Sequence, residues 1–134
     1  MIIDSSAIVA IVRGEPEADH FMATLALQSD AVMSAGNYLE TGIVIDRDND
    51  AVLSAGLDPL LVQLGIKVVP VTPEQAKLAR QAYRDFGKGS GHKAQLNFGD
   101  CFAYALATDT GRPLLYKGDD FVHAGLERQA WPAA

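Results

Sequence analysis

The stretch MIIDSSAIVAIVRG, residues 1–14, decides the fold. Three apolar residues run into Asp4, the pattern of a short buried strand that ends at a polar edge. Ser5 and Ser6 follow with N-cap chemistry, and residues 7–12 read as an apolar helix stopped by Arg13 and Gly14. A strand that hands over directly to a helix is the first half of a βαβ unit, and the alternation continues downstream. Glu15-Pro16 opens a second helix, with Phe21, Leu25 and Gln28 on one side and Ala18 and Met22 beside them. Residues 31–33 form a second strand. Ser34 caps a helix through Asp46, with Leu39 and Ile43 as an i, i+4 apolar pair.

Asp46–Asp50 is a polar break. After a short helical stretch, Asp58-Pro59 reads as N-cap and N1 of a new helix ending at Gly65. The β-branched run 66–71 is a third strand. Thr72-Pro73-Glu74-Gln75 then starts a helix with three agreeing signals: a capping threonine, proline at N1 and a glutamine that completes a capping box. That helix runs to Phe86, with Gly87 as its C′ residue. GKGSGHKAQLNFG is the longest loop-like region. Asp100 opens the helix CFAYALAT, apolar all round and therefore central. Residues 113–116 are a fourth strand, and residues 129–131 a last short one. Strands that alternate with helices imply parallel pairing through right-handed crossovers, with helices on both faces. The expectation is one α/β domain over 1–134, three-layered α/β/α, with a mostly parallel four- to five-stranded sheet.

The 134 residues are 49% hydrophobic, enough for a packed core. One cysteine, Cys101, excludes an internal disulfide framework. The opening residues carry no basic n-region, and no apolar run is long enough to span a bilayer, so a cytoplasmic protein away from membranes is expected. Seventeen acids against eleven bases give a net charge of −6, which by itself speaks against an electrostatic nucleic-acid binder. The charge is unevenly placed. Residues 1–67 hold ten acids and three bases, a balance of −7, and residues 68–134 hold seven acids and eight bases, a balance of +1. Lys77, Arg80, Arg84 and Lys88 fall at i, i+3, i+7 and i+11, one side of the capped helix, and Lys93 follows in the loop. This stripe is either a phosphate-contacting surface or an ordinary solvated face.

Several motifs fail on spacing. Asp46, Asp48 and Asp50 imitate the start of an EF-hand loop, but Ala51 stands where its glycine belongs and Leu57 where its glutamate belongs. GKGSGHK has neither phosphate-loop nor dinucleotide spacing, and it follows a helix. No serine sits in a nucleophile elbow. His20, His92 and His123 stand far apart in sequence.

A set of acids survives. Asp4 ends the first strand and Asp119-Asp120 follow the fourth, the ends at which open parallel sheets bind ligands. Asp100 starts the buried helix, and Glu40 borders the apolar face at Leu39. Singly, Asp100 reads as a helix cap and Asp119-Asp120 as turn residues. Asp4 is harder to dismiss, because an unpaired carboxylate beside a core costs several kcal/mol. Gathered at one sheet edge, such carboxylates repel one another, and a divalent cation resolves the conflict. Oxygen ligands without histidine or cysteine favour Mg2+, with Mn2+ possible. The chemistry that follows is metal-dependent phosphodiester hydrolysis.

With these residues the sequence resembles the PIN-domain ribonucleases, specifically the VapC toxins of bacterial toxin–antitoxin pairs. The matching pieces are MIIDSSAIVAI, SAGNYLET, IKVVPVTPEQAKLAR, FGKGSGHKAQLNFGDCFAYALA and PLLYKGDDF, in the family's order over residues 1–121. The resemblance implies an Mg2+- or Mn2+-dependent endoribonuclease that arrests translation by cutting RNA. It also implies a homodimer held in check by a small cognate VapB-type antitoxin, an arginine of which would fit the acidic cup. The family's catalytic acids map onto Asp4, Glu40, Asp100 and, in the GDDF segment, Asp119 in preference to the adjacent Asp120. Asp4 and Asp100 are then the metal ligands, and Ser6 supports the first aspartate. Two rival readings are a receiver-type phosphoacceptor module and a catalytically silent protein on the same fold. The receiver would need a second acid beside Asp4, where Ser5 and Ser6 stand, and an aspartate after the third strand, where Thr72 stands.

Overall fold

A computed structural model describes residues 1–126. Its elements in chain order are β1 (Ile2–Ile3), α1 (Ser5–Arg13), α2 (Ala18–Ala26), β2 (Ala31–Ser34), α3 (Ala35–Asp46), α4 (Ala51–Gln63), β3 (Ile66–Val69), α5 (Pro73–Phe86), α6 (Phe98–Thr110), β4 (Leu114–Leu115) and α7 (Asp120–His123). The four strands form one sheet in the order β3-β2-β1-β4, and every pairing is parallel. The expected strand at residues 129–131 lies outside the described residues.

Side-chain alternation along the strands creates the three layers. Ile3, Met33 and Leu115 point to one face, where they pack with Ala7, Ile8, Phe21, Leu25, Ile45, Leu57 and Leu61 of α1–α4. Ile2, Val32 and Leu114 point to the other, against Ala82 of α5, Ala103 and Leu106 of α6 and Phe121 of α7. Both faces are covered at the centre, so β1 and β4 are wholly apolar and buried, whereas the edge strand β3 carries the exposed Lys67. The chain runs from β1 outward through β2 to β3 and returns to the far side of β1 as β4. The strand order therefore reverses between β1 and β4, and the carboxyl ends of these two strands open the crevice where such sheets bind ligands.

The structure corrects several local expectations. Asp4, not Ser5 or Ser6, is the N-cap of α1, accepting the Ser6 amide. Helix α2 starts at Ala18, three residues after Glu15. It buries Phe21 and Leu25 and leaves Met22 outside. No new helix starts at Asp58-Pro59: α4 runs unbroken from Ala51 to Gln63 with Pro59 inside it. Asp50 caps this helix, accepting the Val52 and Leu53 amides at 3.0 and 3.2 Å. Asp58 accepts the Tyr38 hydroxyl at 2.6 Å instead of capping. Leu57 and Leu61, one turn apart across the proline, are both buried. At about 1.5–3 kcal/mol each they outweigh the roughly 3 kcal/mol that a helical proline costs.

Helix α5 matches its expected bounds, with Thr72 accepting the Gln75 amide at 3.1 Å. The reciprocal half of that capping box is absent, because the Gln75 side chain donates to Asp109 of α6. Gly87 is extended (φ −74°), not left-handed. A glycine is needed there for space, since a Cβ would run into the Tyr83 carbonyl and ring. Helix α6 begins at Phe98, two residues before Asp100, and its outer side is not buried: Phe98 is 76% exposed. Leu39 and Ile43 are likewise 62% and 43% exposed, and α3 packs inward through Asn37, Thr41 and Ile45 instead.

Candidate active site

Asp4 leaves β1 in an extended conformation and is 3% exposed. Its Oδ2 accepts from the Ser6 amide at 3.0 Å and from the Ser6 hydroxyl at 2.6 Å. Ser6 Oγ in turn accepts the Lys117 amide at 2.9 Å, so one hydroxyl ties the end of β1 to the chain leaving β4. The other carboxylate oxygen, Oδ1, is buried and has no hydrogen-bond partner. Burial pushes the Asp4 carboxyl up to about 6, and the Glu40 charge adds to this against the lowering effect of the Ser6 bonds.

Asp100 is the third residue of α6. Asn97 caps this helix, accepting the Asp100 amide at 2.8 Å, and Asp100 accepts the Asn97 amide at 3.0 Å, a complete capping box. The box fixes the Asp100 rotamer without neutralising it. Burial, then the charges of Asp4, Glu40 and Asp120, push its carboxyl up to about 7 against the lowering effect of the Asn97 amide. Glu40, half-buried on α3, accepts from Asn37 Nδ2 at 3.3 Å and lies against Gly99. A Cβ on Gly99 would overlap the Glu40 carboxylate, so this glycine makes room for the acid beside the start of α6.

The expected acids are thereby located. Asp4, Glu40 and Asp100 share one electrostatic neighbourhood, and the charge of Asp120 in the GDDF segment also acts on Asp100. Asp119, the expected fourth acid, stands one residue earlier at the N-cap position of α7. Among the described residues no three acids, histidines or cysteines already close around one point as a finished metal cluster. The donor set nonetheless suits a hard cation. It offers a buried carboxylate oxygen without a partner and two carboxyls held above their usual range by burial and by neighbouring acids.

The rejected motifs have other occupations. Asp48 forms a two-point pair with Arg13 at 2.8 and 3.0 Å, and Asp50 is the α4 cap. His92 stacks edge-on against Phe86 and accepts the Ala94 amide. Lys77, Arg80, Arg84, Lys88 and Lys93 are all exposed on α5 and the loop after it, and among the described residues none forms an ion pair. Sequence reasoning missed Asn37, Asn97 and Gly99. Their signals were positional: Asn37 lies one helical turn before Glu40, and Asn97 and Gly99 flank the entry to Asp100. It also missed an apolar groove of about 440 Å³ beside Glu40, lined by Leu39, Ile43, Arg47, Phe98 and Phe102.

The PIN-domain family profile matches residues 1–126. The chain belongs to the PIN-domain family. Among curated relatives, ribonuclease VapC28 of Mycobacterium tuberculosis is 53% identical over 128 residues, 96% of either chain. Ribonuclease VapC42 of the same species is 48% identical over 126 residues, 94% of this chain and 96% of that one. The fold is shared with the crystal structure of M. tuberculosis VapC20, described as a sarcin–ricin loop cleaving toxin, at a TM-score of 0.76 and 19% identity over 98% of both chains. The protein is thus a PIN domain of the VapC type, with Asp4, Glu40 and Asp100 at the crevice of the sheet.

Proposed function

We propose that this PIN domain is a metal-dependent endoribonuclease, the toxin of a VapBC-type pair, and that it cuts RNA of the translation machinery, whether tRNA, rRNA or mRNA, in the cytoplasm. The observation that carries the reading is the buried, unpartnered Asp4 Oδ1, on a carboxylate close enough to Asp100 and Glu40 for their charges to act together. Asp4 and Asp100 would hold Mg2+ or Mn2+, and the bound ion supplies Lewis acidity for hydrolysis of a phosphodiester. Ser6 keeps Asp4 Oδ2 engaged, so Oδ1 is the oxygen left for the ion. The Asn97 box holds Asp100 at the mouth of the crevice. Glu40 and the Asp119-Asp120 pair complete the acidic cup, and the Asp120 charge is felt at Asp100.

The unpaired bases from Lys77 to Lys93 give the RNA backbone a place to lie, and the exposed Leu39, Ile43 and Phe98 suit a homodimer contact. A VapB-type antitoxin would silence the enzyme by placing a cation in the cup. The test is direct. Purified protein should cut RNA with Mg2+ or Mn2+ and not with EDTA. Asp4→Ala and Asp100→Asn should lower cleavage at least a hundredfold while circular dichroism stays unchanged. A folded Asp4→Ala protein with full activity would overturn the assignment, and a wild-type protein inert towards RNA with either metal would favour the catalytically silent alternative.

A further inference from the structure

Asn37 is 0% exposed, one helical turn before Glu40 on α3. Its side-chain amide donates twice, to the Gly99 carbonyl at 2.9 Å and to Glu40 Oε1 at 3.3 Å. Its own backbone carbonyl accepts from the Ser5 hydroxyl at 3.1 Å and the Thr41 hydroxyl at 2.7 Å. One residue therefore touches all three segments that carry the acids: Ser5 next to Asp4, Glu40 itself, and Gly99 next to Asp100. Both partners of the side chain are acceptors, so only the NH2 end can face them. The amide cannot be flipped without setting oxygen against oxygen. That orientation leaves Asn37 Oδ1 buried with no partner, a desolvation cost that an apolar side chain would avoid. A buried polar group retained at such a cost is explained by what its other end does.

We propose that Asn37 is a positioning residue for the carboxylate cup, fixing the Glu40 carboxylate relative to the first turn of α6 and hence to Asp100. The inference rests on the nuclease reading above. Gly99 is the complementary half of the device. It supplies the carbonyl that Asn37 reads and, lacking a Cβ, the space that Glu40 fills. Asparagine is the residue type the place demands. Aspartate has the same shape but no NH2, and would set a carboxylate against both the Gly99 carbonyl and Glu40. Alanine would leave the Gly99 carbonyl and Glu40 without their donor.

The experiment measures kcat and KM for a short RNA at saturating Mn2+ with Asn37→Asp and Asn37→Ala, each alone and combined with Glu40→Gln. Folding of each variant is checked by near-ultraviolet circular dichroism. A positioning role predicts a kcat lowered tenfold or more with KM changed less than threefold. On the Glu40→Gln background the further loss should be under threefold, because Asn37 acts through Glu40. A folded Asn37 variant with kcat within twofold of wild type overturns the proposal, as does full additivity with Glu40→Gln. A second measurement uses the wild-type chain, so that it does not depend on how the variants fold. The Asn37 side-chain amide resonances should shift on titration with Mg2+, and resonances that stay fixed while Asp100 resonances move also overturn it. If wild type itself fails to cut RNA, the functional reading falls; if wild type cuts and the Asn37 variants cut equally well, only this inference falls.

Discussion

Asp4 and Asp100 sit in surroundings that favour the protonated acid, and this has a thermodynamic consequence with a definite sign. An ordinary carboxyl titrates near pH 4, whereas burial and neighbouring acids raise Asp4 to about 6 and Asp100 to about 7. Between these values the folded chain holds protons that the unfolded chain has released. The stability this contributes is full below about pH 4 and is lost as pH rises through 6 and 7. The melting temperature of EDTA-treated protein should therefore fall by several degrees between pH 5 and pH 8, and Asp100→Asn should flatten the decline. A divalent cation competes with the same protons. Added Mn2+ should raise the melting temperature more at pH 8 than at pH 5. Thermal melts across this range check both statements, and a melting temperature that climbs with pH in the absence of metal would refute the burial argument.

At the scale of elements, what could be read from the sequence depended on whether the deciding interaction was local. The bounds of α3 and α5 follow from Ser34 and Thr72, whose side chains accept amides two and three residues on. The continuity of α4 does not, because the pair that holds it, Leu57 and Leu61, matters only once the core exists. Pro59 is exposed within that helix. Pro59→Ala should stabilise the protein by about 2–2.5 kcal/mol, the helical gain of roughly 3 less the entropy of about 0.4–1 that proline removes from the unfolded chain; a chemical denaturation curve measures it. Leu39 and Ile43 misled for the opposite reason. Their i, i+4 spacing is a sound helical signal, but the face they mark is the open one. The entry to α6 was legible only in part. Asp100 stood out as an acid before an apolar run, whereas Gly99 gained meaning only when Glu40 was found against it. Gly99→Ala should leave the capping box intact yet displace Glu40, lowering cleavage tenfold or more with little change in melting temperature. An activity assay beside a melt separates those two effects.

For the whole molecule, the strand pattern and the acids at strand ends sufficed for the three layers and the crevice. Neither could choose between the adjacent Asp119 and Asp120, since a difference of one residue depends on how α7 docks through Phe121. The net charge of −6 posed a similar difficulty, because a total carries no positions. With the charges of Asp4, Glu40 and Asp120 acting on Asp100, and Lys77, Arg80, Arg84, Lys88 and Lys93 exposed along α5 and its following loop, acid and base occupy separate surfaces. An RNA strand crossing from one to the other would meet repulsion at the cup unless a cation offsets it, and attraction along the stripe. Two dependences should separate in a short binding titration on the Glu40→Gln protein, which keeps Asp4 and Asp100, the two residues proposed to hold the ion. Charge reversal at Lys77 and Arg84 removes two phosphate contacts, and should lower the slope of log K against log salt by about 1.4, from roughly 0.7 per contact on a single strand. Affinity at fixed salt should also fall when Mg2+ is withheld, in the reversed and unreversed proteins alike, because that term belongs to the cup. If the slope does not change on charge reversal, the stripe is only a solvated face, and the RNA must be held by some other surface.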